Sequence, residues 1–361
     1  MFVYYDESIL AYVSSIRKHF GLSSSFEPNQ KFSSLINKKN PKKIFLILID
    51  GMGANLIERK LKEDTFLRKH LYKKVTTVFP PTTTAAVTSI SNGKAPNENA
   101  WLGWMEYLEE IDDIVIPFLG ESYYEDRKHP SDICYKLIPF ETTVDELNEK
   151  GIKARELYPA FMEDGCKDLN EFRDKLIKLD KEDYKYVFAY WDYYDTLMHL
   201  NGPDSKIADS YLNDINRILE EVSNNIDKDT MLVICADHGQ VSIDLPYYIK
   251  DSKYEKYIYR KPTIETRSLG LYINEIDRKE FEKEFKKEFS DDFILLSKED
   301  ILYSKLFGPN ENHPKFESLL PDYLAIAKTN KAIRYEPMLP ELKGQHAGIS
   351  DDELYIPIII Y

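Results

Sequence analysis

Short runs of apolar residues recur along the chain, and each one ends at an acidic residue. The three clearest runs are Lys43–Ile49 (KIFLILI), Tyr186–Trp191 (YVFAYW) and 231–236 (MLVICA). Continuous apolar runs of this length are typical of strands buried on both faces of a parallel sheet. Segments with helical periodicity lie between them, so the chain predicts an α/β fold with a doubly wound, mostly parallel sheet sandwiched by helices. In such a sheet, sites form at the carboxyl ends of the strands.

The segments between the apolar runs predict the remaining elements of this layout. Helices are expected over 54–71, 82–91, 142–150, 169–180 and 206–224, and a further strand over 73–79. The helix over 142–150 shows a capping box, with Thr143 as the N-cap residue and Glu146 three positions later.

The pattern changes after residue 240, where a strand-like SLGLYIN precedes the highly charged helical segment IDRKEFEKEFKKEF. We therefore expect an N-terminal lead-in over 1–40 with one short amphipathic helix, an α/β core over 41–240 and 336–361, and a smaller α+β insertion or cap subdomain over 241–335. Residues 105–140 are aromatic and acidic without clear periodicity, and are expected to be irregular.

The charge balance restricts the classes of partner. The 361 residues include 62 acidic and 48 basic side chains, which gives a formal net charge of −14. Binding to a nucleic-acid duplex needs clustered Lys and Arg, so this balance argues against it. An acidic enzyme that acts on anionic substrates would need bound divalent cations to reverse the local charge.

Cysteine content and hydropathy bear on the location of the protein. The chain has three Cys, and an odd, sparse count fits a reducing compartment better than a disulfide framework. The first twenty residues do not have the pattern of a signal peptide, and no apolar run approaches the roughly 18 residues that a membrane helix needs. The sequence therefore predicts a cytoplasmic protein without a membrane segment.

Candidate chemistry begins at ILIDGMG, where Asp50 ends the first buried strand. A carboxylate at this position lies at the crevice of the sheet, and hard oxygen donors suit divalent metals. The alternative is an ordinary turn Asp before Gly.

Three successive threonines, Thr82, Thr83 and Thr84, stand at the start of the helix predicted over 82–91. Hydroxyl groups and free backbone N–H groups at a helix N-terminus bind anions such as phosphate. A hydroxyl bound to a metal there can be deprotonated and become a nucleophile. Ordinary helix capping by Thr is the alternative.

The segment AYWDYYDTLMHLNGP contains Asp195 and His199, four residues apart, which a helix would place on one face. One carboxylate and one imidazole at this spacing make half of a metal site. A surface Asp–His pair is the alternative, and Asp192 is a rival ligand in the same segment.

The last two segments are ICADHGQ and LKGQHAGIS. Asp237 and His238 directly follow a buried strand, where polar groups need partners, and His346 lies between glycines near the C-terminus. Together the four segments supply three carboxylates and three imidazoles. That set would make two sites of three protein ligands each, which is the two-metal arrangement of phosphoryl transfer.

Taken in order, the set Asp…Thr…Asp-x-x-x-His…Asp-His…His resembles that of the alkaline phosphatase superfamily, above all its nucleotide pyrophosphatase/phosphodiesterase (type I phosphodiesterase) branch. The resemblance covers nearly the whole chain from Lys43 onward and implies an alkaline-phosphatase-like fold. It also implies two divalent metal ions, usually zinc, with manganese as the alternative. The ligands it implies are Asp50, Thr83, Asp237 and His238 for one metal, and Asp195, His199 and His346 for the other.

The nucleophile is placed by the same resemblance. The family has a Thr ten residues before the Gly that matches Gly93, and that count ends at Thr83. Thr82 and Thr84 remain rivals. If Thr83 is the nucleophile, the N–H of Thr84 would help to bind the phosphoryl oxygen.

The chain departs from the branch at NENAWLGWMEYLEE. Asn99-Ala100 replaces a His-Gly pair, and the position of an Asn that bonds a phosphoryl oxygen in the branch falls near Trp104. An aromatic side chain there either lines the substrate pocket or packs in the core. The Arg with which monoesterases clamp a terminal phosphate has no visible counterpart, and Arg260 or Arg267 of the insertion are the candidates to replace it.

The resemblance thus implies a metal-dependent hydrolase of phosphodiester or pyrophosphate bonds that acts through a phospho-threonine intermediate. Its partner would be a small-molecule phosphoester, with nucleotides among the candidates. The alternatives are a phosphomonoesterase, a phosphonate hydrolase or a phosphomutase of the same superfamily. A non-catalytic, metal-bound binding or signalling module is the alternative from another class. The sequence leaves the physiological substrate and the oligomeric state open.

Overall fold

The computed structural model describes residues 3–162 and 164–361. The strands are β1 Lys43–Ile49, β2 Leu71–Thr76, β3 Glu106–Leu108, β4 Asp113–Ile116, β5 Glu121–Ser122, β6 Ala154–Leu157, β7 Tyr186–Trp191, β8 Thr230–Cys235, β9 Val241–Ser242, β10 Tyr247–Tyr248, β11 Ile258–Ile264, β12 Ser268–Ile273, β13 Phe293–Ser297, β14 Tyr323–Ala327, β15 Ile333–Arg334, β16 Gly344–Gln345 and β17 Tyr355–Ile360. The helices are α1 Ile9–His19, α2 Gln30–Lys39, α3 Ala54–Lys60, α4 Phe66–Lys69, α5 Thr83–Asn92, α6 Pro96–Asn99, α7 Ile133–Leu137, α8 Thr143–Glu149, α9 Leu169–Lys181, α10 Tyr193–Asn201, α11 Lys206–Asn225, α12 Arg278–Phe289, α13 Lys298–Ser304, α14 Phe316–Leu319 and α15 Asp351–Leu354.

A six-stranded sheet in the order β2-β17-β8-β1-β7-β6 forms the centre of the molecule. Strands β8, β1, β7 and β6 are parallel to one another, whereas β17 runs antiparallel to both β8 and β2. Strand β1 is buried on both faces between β8 and β7, as its uninterrupted apolar sequence predicts. The predicted α/β fold with a mostly parallel sheet is confirmed.

Two groups of helices flank this sheet. Helices α3, α4, α9, α10 and α11 pack together in one group, and α1, α2, α5 and α8 in the other. The amphipathic α11 directs Leu212, Ile215 and Leu219 into the core, at the spacing that one helix face requires. The buried faces of both groups and the apolar strands form one large hydrophobic core. None of the helices in the described residues has the length and apolar character needed to cross a membrane.

A second sheet, in the order β11-β12-β14-β13, has a hydrophobic cluster of its own. Helix α12 contributes Phe281, Phe285 and Phe289, which recur every four residues and therefore share one face. Its remaining positions are charged, so the helix covers the second sheet with one face and meets water with the other.

Several predicted elements differ from the structure. The helix expected over 54–71 is split into α3 and α4, because the polar segment 62–65 forms a turn. The strand expected over 73–79 is β2, which begins earlier and ends at Thr76. The capping box of α8 uses Thr142 and Asp145, one residue before the predicted pair. Residues 105–140 include the three-stranded sheet β3-β4-β5, and the segment 1–40 has a second helix, α2.

Candidate active site

Three neighbouring strands of the central sheet deliver acidic residues to the same edge. Asp50 directly follows β1, and one residue separates the end of β8 from Asp237 and His238. Asp195 and His199 lie on α10, which begins two residues after the end of β7. Because β8, β1 and β7 are adjacent and parallel, their carboxyl ends meet and bring these side chains together.

The imidazole of His238 stands at the centre of a first cluster. Its Nε2 atom lies 3.3 Å from Thr83 Oγ1, 3.4 Å from Asp50 Oδ1 and 3.4 Å from Asp237 Oδ2. The other carboxylate oxygen of Asp237 accepts hydrogen bonds from the backbone N–H groups of Gly51 (3.1 Å) and His238 (2.9 Å). Gly51 has a φ of +71°, a conformation that glycine adopts without strain, and this turn aims its N–H at the carboxylate.

A second cluster adjoins the first. Asp195 Oδ2 lies 3.1 Å from His199 Nε2, and the rings of His199 and His346 have centroids 5.1 Å apart. The rings of His346 and His238 are stacked with centroids 3.8 Å apart, which joins the two clusters. Potential metal-ligating atoms form two sets, and within each set all atoms lie within 4.8 Å of one another. The first set comes from Asp50, Asp237 and His238, and the second from Asp195, His238 and His346. His238 therefore belongs to both sets. His199 belongs to neither, but it lies beside Asp195 of the second set.

All three histidines are oriented in the same way. The Nδ1 atoms of His199, His238 and His346 lie 2.7, 3.1 and 3.2 Å from the backbone oxygens of Gly344, Gly239 and Pro81. A carbonyl oxygen only accepts, so Nδ1 carries the proton and donates it. The lone pair of each Nε2 is left free for the cluster, as is usual for histidines that ligate metals.

The clusters concentrate negative charge away from water. Asp50, Asp195 and Asp237 are all buried, and within the described residues the only basic side chains within 4.0 Å of their carboxylates are histidines. Burial raises the pKa of Asp50 well above its usual range, and the charges of Asp237 and Asp195 raise it further. Burial also raises the pKa of Asp237. For Asp195, burial acts in the same direction, but the neighbouring His199 outweighs it and lowers the pKa.

The donor set of the first cluster fits a divalent cation. Asp50 Oδ1 and Asp237 Oδ2 have no hydrogen-bond donor among the described residues, and the Nε2 of His238 beside them carries a lone pair. Several acceptors that converge without a proton repel one another, and a bound cation turns this repulsion into attraction. Carboxylate and imidazole donors are those that zinc and manganese accept.

The three threonines at the start of α5 have different surroundings. The Thr82 hydroxyl donates to Glu265 Oε1 at 2.5 Å, and the Thr83 hydroxyl meets His238. The Thr84 hydroxyl is buried and has no hydrogen-bond partner among the described residues. The backbone N–H groups at this helix terminus, together with the positive end of the helix dipole, make the position suitable for an anion.

Comparison with known proteins agrees with this arrangement. The model of the family "Type I phosphodiesterase / nucleotide pyrophosphatase" matches residues 100–348, which is well over half of the chain. This chain belongs to that family. Its membership confirms the resemblance, seen in the sequence, to this branch of the alkaline phosphatase superfamily. The matched region includes Asp195, His199, Asp237, His238 and His346, whereas Asp50 and Thr83 precede it.

Solved structures show the same fold at low sequence identity. Murine ectonucleotide pyrophosphatase/phosphodiesterase 5 is 15% identical, with a TM-score of 0.67 over 88% of this chain and 87% of that one. Phosphonoacetate hydrolase from Sinorhizobium meliloti 1021, in complex with phosphonoacetate, is 13% identical, with a TM-score of 0.67 over 89% of this chain and 90% of that one. A search of curated proteins finds no match to the sequence.

Three residues of this phosphodiesterase-family site are absent from the set predicted from sequence. The hydroxyl of Tyr190, near the end of β7, donates to Asp50 Oδ2, and the amide of Gln240 donates to Asp195. Glu265, in the turn between β11 and β12, holds Thr82. Gln240 extends the Asp-His-Gly motif by one residue and is the one with a sequence signal. Glu265 comes from a different sheet, and no local pattern connects it to the threonines.

Two further candidates from the sequence, Asp192 and Trp104, lie next to elements that carry site residues. Asp192 is the first residue after β7 and precedes α10. Trp104 is half-buried, and the next residue, Met105, exchanges backbone hydrogen bonds with Ile264, the neighbour of Glu265.

The structure overturns the suggestion that Arg267 clamps a phosphate. Its guanidinium is fully buried and forms two hydrogen bonds with Glu353, at 2.7 and 2.8 Å. Arg260 instead stacks on the ring of Tyr107, with 3.5 Å between the guanidinium carbon and the ring centroid.

Proposed function

We propose that this chain is a metal-dependent hydrolase of phosphodiester or pyrophosphate bonds that works through a phospho-threonine intermediate. The observation that carries the proposal is the position of the Thr83 hydroxyl. It lies 3.3 Å from His238 Nε2, inside a cluster of buried carboxylates and at the N-terminus of α5. Nucleophile, anion-binding helix terminus and metal-ligating side chains are the parts that phosphoryl transfer needs.

The residues divide into two ligand groups. Asp50, Asp237 and His238, with Thr83, would hold one cation, and Asp195, His199 and His346 would hold the other, with zinc expected and manganese as the alternative. When bound, the two cations would neutralise the phosphoryl oxygens and lower the pKa of the attacking hydroxyl. The shared position of His238 between the two atom sets supports a pair of neighbouring sites.

The side chains of the protein then define the reaction. The Thr83 hydroxyl releases its proton to water, and its Oγ attacks phosphorus in line with the leaving oxygen. The bond to that oxygen breaks, and the leaving group takes the electron pair and then a proton from water. The phosphoryl group, now on Thr83, faces the backbone N–H of Thr84 and the dipole of α5, which stabilise its negative oxygens. Water attacks the phospho-threonine in the second step and restores the hydroxyl.

The hydrogen bond from Thr82 to Glu265 supports Thr83 over its first rival. The Thr82 hydroxyl already donates its proton to a buried carboxylate. The Thr84 hydroxyl has no hydrogen-bond partner among the described residues, whereas the Thr83 hydroxyl touches the His238 imidazole.

A nucleotide substrate has support from a relative of the same fold. One solved structure of the murine protein holds AMP in an inactive threonine-to-alanine variant. Trp104 would line the entrance, and the backbone hydrogen bonds of its neighbour Met105 to Ile264, next to Glu265, support this role. The segment 241–335 would then act as a cap over the site, because it contains Glu265.

Phosphonate hydrolysis is the second candidate. The fold of phosphonoacetate hydrolase covers this chain as completely as that of the diesterase relative, so the scaffold alone favours neither. A cytoplasmic location is also part of our proposal, and the three buried, free cysteines support it.

A substrate panel tests the proposal. The purified protein, supplied with zinc or with manganese, is assayed on bis(p-nitrophenyl) phosphate, p-nitrophenyl thymidine 5′-phosphate, p-nitrophenyl phosphate and phosphonoacetate. We expect the two diesters to have the highest kcat/KM and chelation to abolish turnover. Preference for the monoester or for phosphonoacetate would contradict the diesterase assignment. Inactivity on all four with metal bound would favour the non-catalytic alternative.

A further inference from the structure

Arg334 differs from the other deeply buried arginines of this chain. Arg17 is 4% exposed and pairs with Glu146, and Arg267 is fully buried and pairs with Glu353. Arg334 is also 4% exposed, but within the described residues its side chain makes no ion pair or hydrogen bond, and its Nε and Nη1 atoms are both buried and unpaired. A buried guanidinium without an anion is costly, which indicates a ligand that is not part of the chain.

The strand that carries Arg334 is attached to the edge of the candidate site. Ile333, its neighbour in β15, donates its backbone N–H to the carbonyl oxygen of Thr266 at 3.0 Å. Thr266 follows Glu265, which holds Thr82 beside the proposed nucleophile. Three residues, Ile333, Thr266 and Glu265, and two hydrogen bonds therefore connect Arg334 to the start of α5.

The direction of the Arg334 side chain follows from its strand. Ile333 packs into the second hydrophobic cluster, with Tyr247 and Leu271. Successive side chains of a strand point to opposite faces, so Arg334 faces away from that cluster. Tyr123 lies on that side. Burial and the charge of the Glu265 carboxylate raise the pKa of the Tyr123 phenol, whereas the charge of the Arg334 guanidinium lowers it.

The acidic residue of this region does not neutralise the guanidinium. Glu265 accepts the Thr82 hydroxyl and forms no ion pair with Arg334. A positive group without a partner among the described residues therefore lies close to Tyr123, on which the Glu265 carboxylate also acts.

We propose that Arg334 is a specificity residue that binds a second anionic group of the substrate, beyond the phosphorus that Thr83 attacks. The inference rests on the proposed function, since it assumes a substrate at Thr83. The planar guanidinium with its unpaired Nε and Nη1 matches the two oxygens of a phosphate or a carboxylate. Substrates with a pyrophosphate bond, or with a carboxylate near phosphorus, carry such a group. Simple aryl diesters do not.

The test compares Arg334→Gln and Arg334→Lys with wild type on three substrates. ADP carries a second phosphoryl group, phosphonoacetate carries a carboxylate, and bis(p-nitrophenyl) phosphate carries neither. We expect Arg334→Gln to lower kcat/KM for ADP or phosphonoacetate roughly 10- to 100-fold more than for the aryl diester, because a charge-assisted hydrogen bond is lost. Which of the two anionic substrates shows this loss identifies the anion as phosphate or carboxylate. Arg334→Lys should recover part of the loss, since it restores the charge without the fork.

A matched control and a stability measurement separate this role from a structural one. Arg278→Gln removes an arginine that pairs with Asp322 on the surface of the second sheet, and its losses on the three substrates should be equal. Thermal unfolding of Arg334→Gln should occur at or above the wild-type temperature, because no internal partner is lost. Equal losses on all three substrates, or a lowered unfolding temperature, would overturn the proposal.

A binding measurement keeps this proposal distinct from the proposed function. In the metal-loaded Thr83→Ala background, calorimetry gives the Kd of inorganic pyrophosphate with and without Arg334→Gln. We expect the added substitution to weaken binding roughly 10- to 100-fold. An unchanged Kd overturns the role of Arg334 even if the enzyme is an active diesterase. A weakened Kd supports the anion subsite even if no ester is hydrolysed.

Discussion

The buried carboxylates Asp50 and Asp237 hold the positions that the chemistry requires, at a cost to the fold. Their raised pKa values show that burial disfavours the charged carboxylates. Directed hydrogen bonds hold both side chains in place. Tyr190 donates to one oxygen of Asp50 and Gly51 to one oxygen of Asp237, and in each case the other oxygen stays free for the cluster.

Replacing Tyr190 by Phe should weaken metal binding at the first cluster. The substitution removes the donor that orients Asp50, and loss of such supporting bonds typically lowers metal affinity about 10- to 100-fold. Competition with a chromogenic chelator measures the affinity. Tyr186→Phe is the matched control, because Tyr186 is equally buried on the same strand and has no bond to the site. Equal affinities of the two variants would show that Tyr190 does not orient the ligand.

Single residues also show how far the sequence can predict the site. The proximity of Asp50, Asp237 and His238 was predictable because these residues follow apolar strands closely, and adjacent parallel strands end together. The contact of Glu265 with Thr82 was not, because Glu265 comes from the turn between β11 and β12, far away in the sequence. The choice among the three threonines needed the structure too, since their surroundings differ only in three dimensions.

At the scale of elements, one buried ion pair fastens the loop that carries His346. Arg267, just before β12, makes a two-pronged contact with Glu353 of α15. Glu353 also accepts the backbone N–H of Gly348 at 2.7 Å. The second sheet, the His346 loop and the C-terminal strand are thereby held to one another.

Replacing Arg267 by Met should destabilise the protein by about 3–5 kcal/mol, because Glu353 is left as a buried, unpaired charge. Urea unfolding measures the loss, and metal affinity should fall with it as the His346 loop loosens. Arg278→Met is the control: its partner Asp322 lies near the surface, so about 0–1 kcal/mol is expected. A cost for Arg267→Met as small as that of the control would refute this role.

Elements were predicted better than their ends. Strands β1, β7 and β8 follow from their apolar runs to within a residue, because burial on both faces leaves an uninterrupted signal. The capping box of α8 was wrong by one residue, since Thr142 and Thr143 are both good caps and only the backbone geometry selects between them. The sheet β3-β4-β5 was missed because its strands are short and form a sheet separate from the central one.

At the scale of the whole molecule, Glu106 couples stability to pH. This residue of β3 is buried and accepts the backbone N–H groups of Leu102 and Gly103. Burial nevertheless raises the pKa of Glu106 to about 8. In the unfolded chain a Glu titrates near 4.3. The folded state therefore binds this proton more tightly than the unfolded chain. The resulting contribution to stability is complete below about pH 4.3 and is lost as the pH rises from there to about 8.

We expect the free energy of unfolding to fall by up to about 1.4 kcal/mol per pH unit across that window, from this group alone. The Glu106→Gln variant keeps an acceptor for Leu102 but does not ionise, so its stability should depend less on pH. Urea unfolding of both proteins at pH 5, 6, 7 and 8 measures the difference. Parallel pH profiles of the two proteins would contradict the raised pKa.

The proposed reaction depends on Thr83 as the nucleophile, and trapping the covalent intermediate tests this role most directly. The metal-loaded protein is mixed with p-nitrophenyl thymidine 5′-phosphate, quenched in acid within the first turnover, digested with trypsin and sequenced by mass spectrometry. We predict a nucleotidyl group on Thr83, bound through phosphorus, and none in the Thr83→Ala variant. Turnover without a modified threonine, or modification at Thr82 or Thr84 instead, would contradict the account.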